Sequence, residues 1–75
     1  MFNRNLFRAT VIMRGKKMEG VASELGINPA TLYRKLNGSA EFTRSEIQSL
    51  RHILKLSPED ADAIFFAKEP TDTQE

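Results

Sequence analysis

The sequence predicts an all-α protein, a compact bundle of about five short helices. No stretch alternates strictly between apolar and polar residues, as a half-buried strand would. Apolar residues instead recur about three or four positions apart, and several of these segments follow a helix-capping residue. Seventy-five residues allow one domain, which we place at 1–68; the polar, proline-containing segment 69–75 is predicted to be a disordered tail.

The first two helices are predicted over about 4–14 and 18–25. Each precedes a glycine, Gly15 or Gly26, a residue that readily adopts the left-handed backbone of a helix C-terminus. Their predicted core residues, spaced along one side of each helix, are Phe7, Val11, Val21, Ala22 and Leu25.

The third helix, over 29–36, has the clearest start in the chain. Asn28 is a favourable N-cap, and Pro29 suits the first helical position, where its missing N–H costs nothing. Leu32 and Leu36, four residues apart, are predicted to face the core.

The fourth and fifth helices are predicted to begin after Thr43 and Ser57. Thr43 and Glu46 have the spacing of a capping box, and Pro58 follows Ser57 at the first helical position. The predicted inner residues of the two helices are Ile47, Leu50, Ile53, Leu54, Ala61, Ile64 and Phe65.

The second and third helices are joined by a very short turn, which predicts a helix-turn-helix. Ala22 is small enough for two helices to cross closely there, Gly26 permits the sharp reversal, and Leu32 fills the space between the helices. These three residues together, with the Asn28 cap, indicate this motif more strongly than any one of them alone.

Charge is distributed unevenly along the chain although the net charge is only +1. Residues 1–38 contain seven basic and two acidic residues, a net +5, whereas residues 39–75 contain four basic and eight acidic residues, a net −4. A basic half suggests an anionic partner, although an ordinary solvated surface is an equally good explanation from composition alone.

The third helix has a polar face opposite its apolar one. At 100° per residue, with Leu32 at zero, Ala30 and Arg34 fall on the far side, and Thr31 and Tyr33 flank them. This combination suits the major groove of DNA, where arginine binds guanine O6 and N7 and an alanine methyl can contact a thymine methyl. Each of these residues alone is more simply explained as a solvated or helix-favouring side chain.

The segment "VASELGINPATLYRKLNG" resembles the helix-turn-helix of phage Cro and repressor proteins, the xenobiotic-response-element family with its lambda-repressor-like DNA-binding domain. The trailing segments "EFTRSEIQSL" and "LSPEDADAIFF" also resemble the last two helices of small phage-type members of this family, and this resemblance is less specific than that of the motif. The similar residues of the motif are Val21, Ala22, Leu25, Gly26, Ile27, Leu32 and 36–38.

The resemblance implies a transcriptional regulator of phage or mobile-element origin that binds double-stranded operator DNA, commonly as a homodimer. Together with the helical wheel, it implies base contacts from Asn28, Pro29, Ala30, Thr31, Tyr33 and Arg34. It implies phosphate contacts from Lys16, Lys17, Met18, Lys35, Asn37 and Gly38.

The segment departs from the family pattern in three respects. Lys17 and Met18 stand where the family usually has a hydroxyl residue and then glutamine, Gly20 lies inside a helix, and Pro29 cannot hydrogen-bond to a base. Met18 and Pro29 stand where hydrogen-bonding groups are expected, which supports one alternative to DNA binding, a protein-binding module of antirepressor or antitoxin type on the same fold.

Other classes of function have little support in the composition. The chain has one histidine, no cysteine and scattered carboxylates, so we expect no enzyme activity, metal site, cofactor or small-molecule ligand. No apolar run approaches the roughly 20 residues of a membrane span, and the chain begins without a signal-peptide pattern. The expected location is the cytoplasm of a bacterial host, associated with the nucleoid.

The fifth helix is expected to contribute to a homodimer. Its apolar stripe turns Ile64 and Phe65 inward but leaves Phe66 off the stripe. An exposed aromatic residue can form part of an interface in a protein with a small core. We therefore expect the interface on the fourth or the fifth helix, with Phe65 and Phe66 as its candidate residues.

Overall fold

The computed structural model describes residues 2–66, and these residues form five α-helices and no strand, which confirms the predicted all-α class. The helices are α1 (Arg4–Met13), α2 (Met18–Leu25), α3 (Pro29–Leu36), α4 (Arg44–Ile53) and α5 (Pro58–Phe65). The tail predicted over 69–75 lies outside the described residues.

Side-chain caps define the starts of α4 and α5, as predicted. Thr43 Oγ1 accepts a hydrogen bond from the Glu46 N–H at 3.1 Å, and Glu46 Oε1 accepts one from the Thr43 N–H at 2.9 Å. This is the predicted capping box. Ser57 Oγ accepts the N–H of Asp60 at 3.0 Å and caps α5 in the same way.

The first helix differs slightly from its predicted bounds. It ends at Met13, one residue earlier than expected, because Arg14 already has a non-helical ψ near zero and Gly15 follows with a φ of +72°. Asn3, which has no assigned role in the sequence-based prediction, caps its start by accepting the Leu6 N–H at 3.0 Å.

The connection between α2 and α3 has the packing that its residues predict. Ala22 and Leu32 are both fully buried, and Gly26 adopts a left-handed φ of +79°. The Ile27 N–H then donates to the Ala22 carbonyl at 3.0 Å, which closes the end of α2. Leu25 departs from the prediction, since it is only partly buried.

Four phenylalanines bring together parts of the chain that are distant in sequence. The rings of Phe2, Phe7, Phe42 and Phe65 form a cluster whose centroids lie 5.2 to 6.5 Å apart. Aromatic pairs at such distances contribute about 0.5–1.5 kcal/mol beyond their area burial. The cluster therefore fixes the start of the chain and the loop after α3 against α1 and α5.

The other core residues come from every helix. Of the inner residues predicted for α4, Leu50 and Leu54 are buried, whereas Ile47 and Ile53 pack only partly against the core. Arg14 adds a hydrogen bond between distant parts of the chain, since its Nε donates to the Leu54 carbonyl at 2.6 Å. That bond holds the end of α1 against the end of α4.

Candidate nucleic-acid interface

Helix α3 has one buried face and one exposed face. Leu32 is 0% exposed and Leu36 is 5% exposed, so both lock the helix to the body of the domain. The start of the helix is fixed by Asn28, whose Oδ1 accepts the Ala30 N–H at 2.8 Å, and by Pro29 in the first turn. The local sequence thus sets both where α3 begins and how it is rotated about its axis.

The face opposite Leu32 contains the residues predicted to contact bases. Ala30 and Arg34 are exposed, and Tyr33 retains 45% of its surface. Within residues 2–66 the Arg34 guanidinium has no hydrogen-bond or ion-pair partner, whereas Arg4, Arg14, Lys16 and Lys35 all have one. An arginine on the exposed face of the last turn of α3, with no partner among these residues, is available to an external acceptor.

Three further residues predicted to contact bases are less prominent. Asn28 is exposed, but its side-chain oxygen is occupied by the α3 cap. Pro29 and Thr31 are half-buried, so only part of each side chain is accessible to a base. The most accessible part of the face is therefore made by Ala30, Tyr33 and Arg34.

Lys35, which was expected to contact phosphate, instead makes contacts inside the domain. Its side chain is only 10% exposed, and its Nζ lies 3.0 Å from Glu46 Oε1 and 3.0 Å from the Glu41 carbonyl oxygen. The ammonium also lies 5.8 Å from the centre of the Phe42 ring. This lysine links α3 to α4 inside the domain, because its position on the wheel is next to the buried stripe rather than opposite it.

The partner of Lys35 has a perturbed acidity. Burial raises the pKa of the Glu46 carboxyl, but the Thr43 N–H, the Lys35 ammonium and the Thr43 hydroxyl together outweigh burial. The pKa of Glu46 therefore lies below its ordinary value of 4.5. The pair is a charge-assisted contact between α3 and α4.

The three residues around the start of α2 that are predicted to contact phosphate differ in their environments. Lys16 forms an ion pair with Glu24 at 3.0 Å, and both side chains remain substantially exposed. Lys17 is exposed and occupies the N-cap of α2 without making a side-chain cap bond. Met18 packs partly against the core, so that only its backbone is suited to meet an anion.

Of the residues after α3 that are predicted to contact phosphate, Asn37 has a bonding partner that no sequence pattern predicts. Asn37 and Gly38 are both exposed, and Gly38 turns the chain with a φ of +86°. The Asn37 Oδ1 accepts a hydrogen bond at 2.9 Å from Nη1 of Arg4, which is 33 residues away in the chain. Nothing in the spacing or type of these two residues could have paired them, because the contact depends on how α1 packs.

The two residues assigned to a dimer interface have different environments. Phe65 is 7% exposed and belongs to the aromatic cluster, whereas Phe66 is 60% exposed. Phe66 lines a groove of about 510 Å³, whose other apolar lining residues include Phe2, Leu36, Phe42 and Ile47. Of the pair, only Phe66 offers a large apolar surface to a partner.

The described residues contain neither a cluster of metal-ligating side chains nor a helix that could span a membrane. No group of three or more histidine, aspartate or glutamate side chains there could hold a metal ion. None of the five helices combines the length and the apolar character that crossing a membrane requires.

No protein-family model matches this chain, and no curated protein matches it by sequence. What the fold and the geometry define is a small all-α bundle with an exposed polar face on α3.

Proposed function

We propose that this protein binds double-stranded DNA in a sequence-specific manner and regulates transcription, with α3 in the major groove. The observation that supports this most is the Arg34 guanidinium, which has no partner among residues 2–66 and lies on the exposed face of a helix whose other face is buried. In a helix-turn-helix protein the second helix of the motif enters the groove with its N-terminal residues towards the bases. α2, the short turn at Gly26 and α3 are the corresponding elements here.

The proposed division of roles follows exposure and chemistry. Arg34 binds guanine O6 and N7, Ala30 contacts a thymine methyl, and Tyr33 lies at the edge of the contact. Lys16, Lys17 and the backbone N–H groups at the start of α2 bind the phosphate backbone. Lys16 can exchange its exposed ion pair with Glu24 for a phosphate, since such pairs contribute only about 0–1 kcal/mol.

The functional form is proposed to be a homodimer that reads two half-sites about one helical turn apart. Phe66 supplies the apolar contact, because it is exposed in the groove that Phe2, Phe42 and Phe65 also line. A cytoplasmic, nucleoid-associated location and an origin in a phage or mobile element belong to the same proposal. It involves no catalysis and no small-molecule ligand.

A salt titration of duplex binding tests the proposal. Phosphate contacts release counterions, so the affinity should fall steeply and log-linearly as the salt concentration rises. An affinity that does not change with salt, or no binding to any duplex, would refute DNA binding.

A protein-binding module is the second candidate function. The groove beside Phe66 and the half-buried Met18 and Pro29 are apolar surfaces that a protein partner could use. Isolation of one stoichiometric partner, with binding unaffected by Arg34→Ala, would favour this function over the first.

A further inference from the structure

The hydrogen bond between Arg4 and Asn37 brings a second arginine to the end of α3. Arg4 is the first residue of α1 and Asn37 is the C-cap of α3, and both are exposed. The 2.9 Å bond to Asn37 Oδ1 uses one N–H of the guanidinium. Among residues 2–66 no other acceptor engages it, so its remaining donors are free to bind another group.

The position of Asn37 relative to the exposed face can be derived from helix geometry. Asn37 directly follows Leu36, the last residue of α3, so its Cα still lies close to the helical path. It lies seven positions after Ala30, which corresponds to about two turns, so the two residues are nearly in line and about 10 Å apart along the axis. The Arg4 guanidinium therefore extends the line formed by Ala30 and Arg34 beyond the end of the helix.

This distance matches the dimensions of DNA. The major groove is about 12 Å wide and is bordered by the two phosphate backbones. With Ala30 at the base edges, a group about 10 Å further along α3 lies at the border of the groove rather than over the bases. The acceptor at that border is a phosphate oxygen, which the planar guanidinium of arginine binds well, often through two parallel N–H donors.

We propose that Arg4 contacts a backbone phosphate and that Asn37 holds it in position to do so. The inference rests on the proposed DNA-binding function and extends its contact surface from α2 and α3 to the start of α1. The contact supplies affinity and orientation without reading sequence, because phosphates are the same at every base pair.

The variant Arg4→Gln tests this role directly. Glutamine removes the positive charge and keeps a polar side chain with N–H donors, although it is two bonds shorter than arginine. The slope of log affinity against log salt should fall in magnitude by about 1, with a similar loss of affinity for every duplex sequence. Arg51→Ala is the matched control, since Arg51 is exposed on α4 and its loss changes the net charge equally.

Three further results decide between the inference and its alternatives. Arg4→Lys should restore most of the salt dependence, because the charge remains. A salt slope for Arg4→Gln equal to that of Arg51→Ala, with helical content and melting temperature unchanged, would overturn the role of Arg4 and leave DNA binding intact. A wild-type chain without salt-dependent duplex binding would instead overturn the proposed function and this inference together.

Discussion

Arg34 and Lys35 are adjacent cations with opposite environments. Arg34 extends from the exposed face of α3, whereas Lys35 is 10% exposed and contacts Glu46 and the Glu41 carbonyl. One residue along a helix is a rotation of about 100°, which is enough to move a side chain from solvent to the edge of the core. A basic pair in the sequence therefore represents one candidate DNA ligand and one interhelical contact.

Replacement of Arg34 by alanine should reduce discrimination at one base pair of the preferred site. A bidentate arginine–guanine contact is worth about 1–3 kcal/mol of discrimination, and the change should not alter the melting temperature because Arg34 has no partner among the described residues. Binding to a set of single-base-pair variants measures this directly. An equal loss at every position would mean that Arg34 contacts phosphate rather than a base.

Replacement of Glu46 by glutamine should alter the acid stability of the domain. Because the folded pKa of Glu46 is lowered, the charged carboxyl stabilises the fold above pH 4.5, and this stabilisation is lost as the pH falls through the folded pKa. Glutamine preserves the capping box but not the charge facing Lys35. The variant should be less stable than wild type at pH 7 and approach it near pH 3.

Denaturant unfolding of both proteins across this pH range measures the difference. Glu41→Gln is the control, because Glu41 is exposed and Lys35 contacts its backbone carbonyl instead of its carboxylate. A deficit for Glu46→Gln that is equally large at pH 7 and pH 3 would contradict the assignment.

At the scale of elements, the two glycines in and after α2 have different backbone conformations. Gly20 lies inside α2 with an ordinary φ, whereas Gly26 has a φ of +79°. A Cβ added at either position would meet no atom within 4 Å, so that steric contact does not distinguish them. The two glycines therefore differ only in backbone conformation.

The same substitution at these glycines should therefore have effects of opposite sign. Gly20→Ala should stabilise the domain by about 0.5–1 kcal/mol through helix propensity. Gly26→Ala should destabilise it by about 1–2 kcal/mol, because a left-handed backbone is unfavourable for alanine. Thermal unfolding of the two variants provides the measurement, and a destabilising Gly20→Ala or a neutral Gly26→Ala would contradict this view of the turn.

The sequence predicted the elements well and their mutual contacts poorly. The starts of α3, α4 and α5 were predictable because Asn28, Thr43 and Ser57 act on N–H groups two or three residues away. The bond between Arg4 and Asn37 and the aromatic contacts of Phe42 join segments that are distant in sequence, so no local pattern encodes them. The exposed face of α3 was predictable because helical periodicity alone determines it.

At the scale of the whole molecule, Phe66 is the feature that distinguishes a monomer from the proposed dimer. Phe66→Asp should convert a sedimenting dimer into a monomer, because a buried charge opposes an apolar interface. Ile12→Asp is the matched control, since Ile12 is also an exposed apolar residue, 75% accessible, but lies on α1. A dimer that survives Phe66→Asp, or that Ile12→Asp dissociates equally, would place the interface elsewhere.

Selection of bound duplexes from a random pool tests the central claim most directly, because it reports binding, sequence preference and symmetry in one measurement. We expect wild-type protein to enrich a palindromic site with half-sites about one helical turn apart. Arg34→Ala should lose the preference at one position in each half-site. A pool that remains random with wild-type protein, or an enriched site that Arg34→Ala leaves unchanged, would contradict the claim that α3 reads DNA.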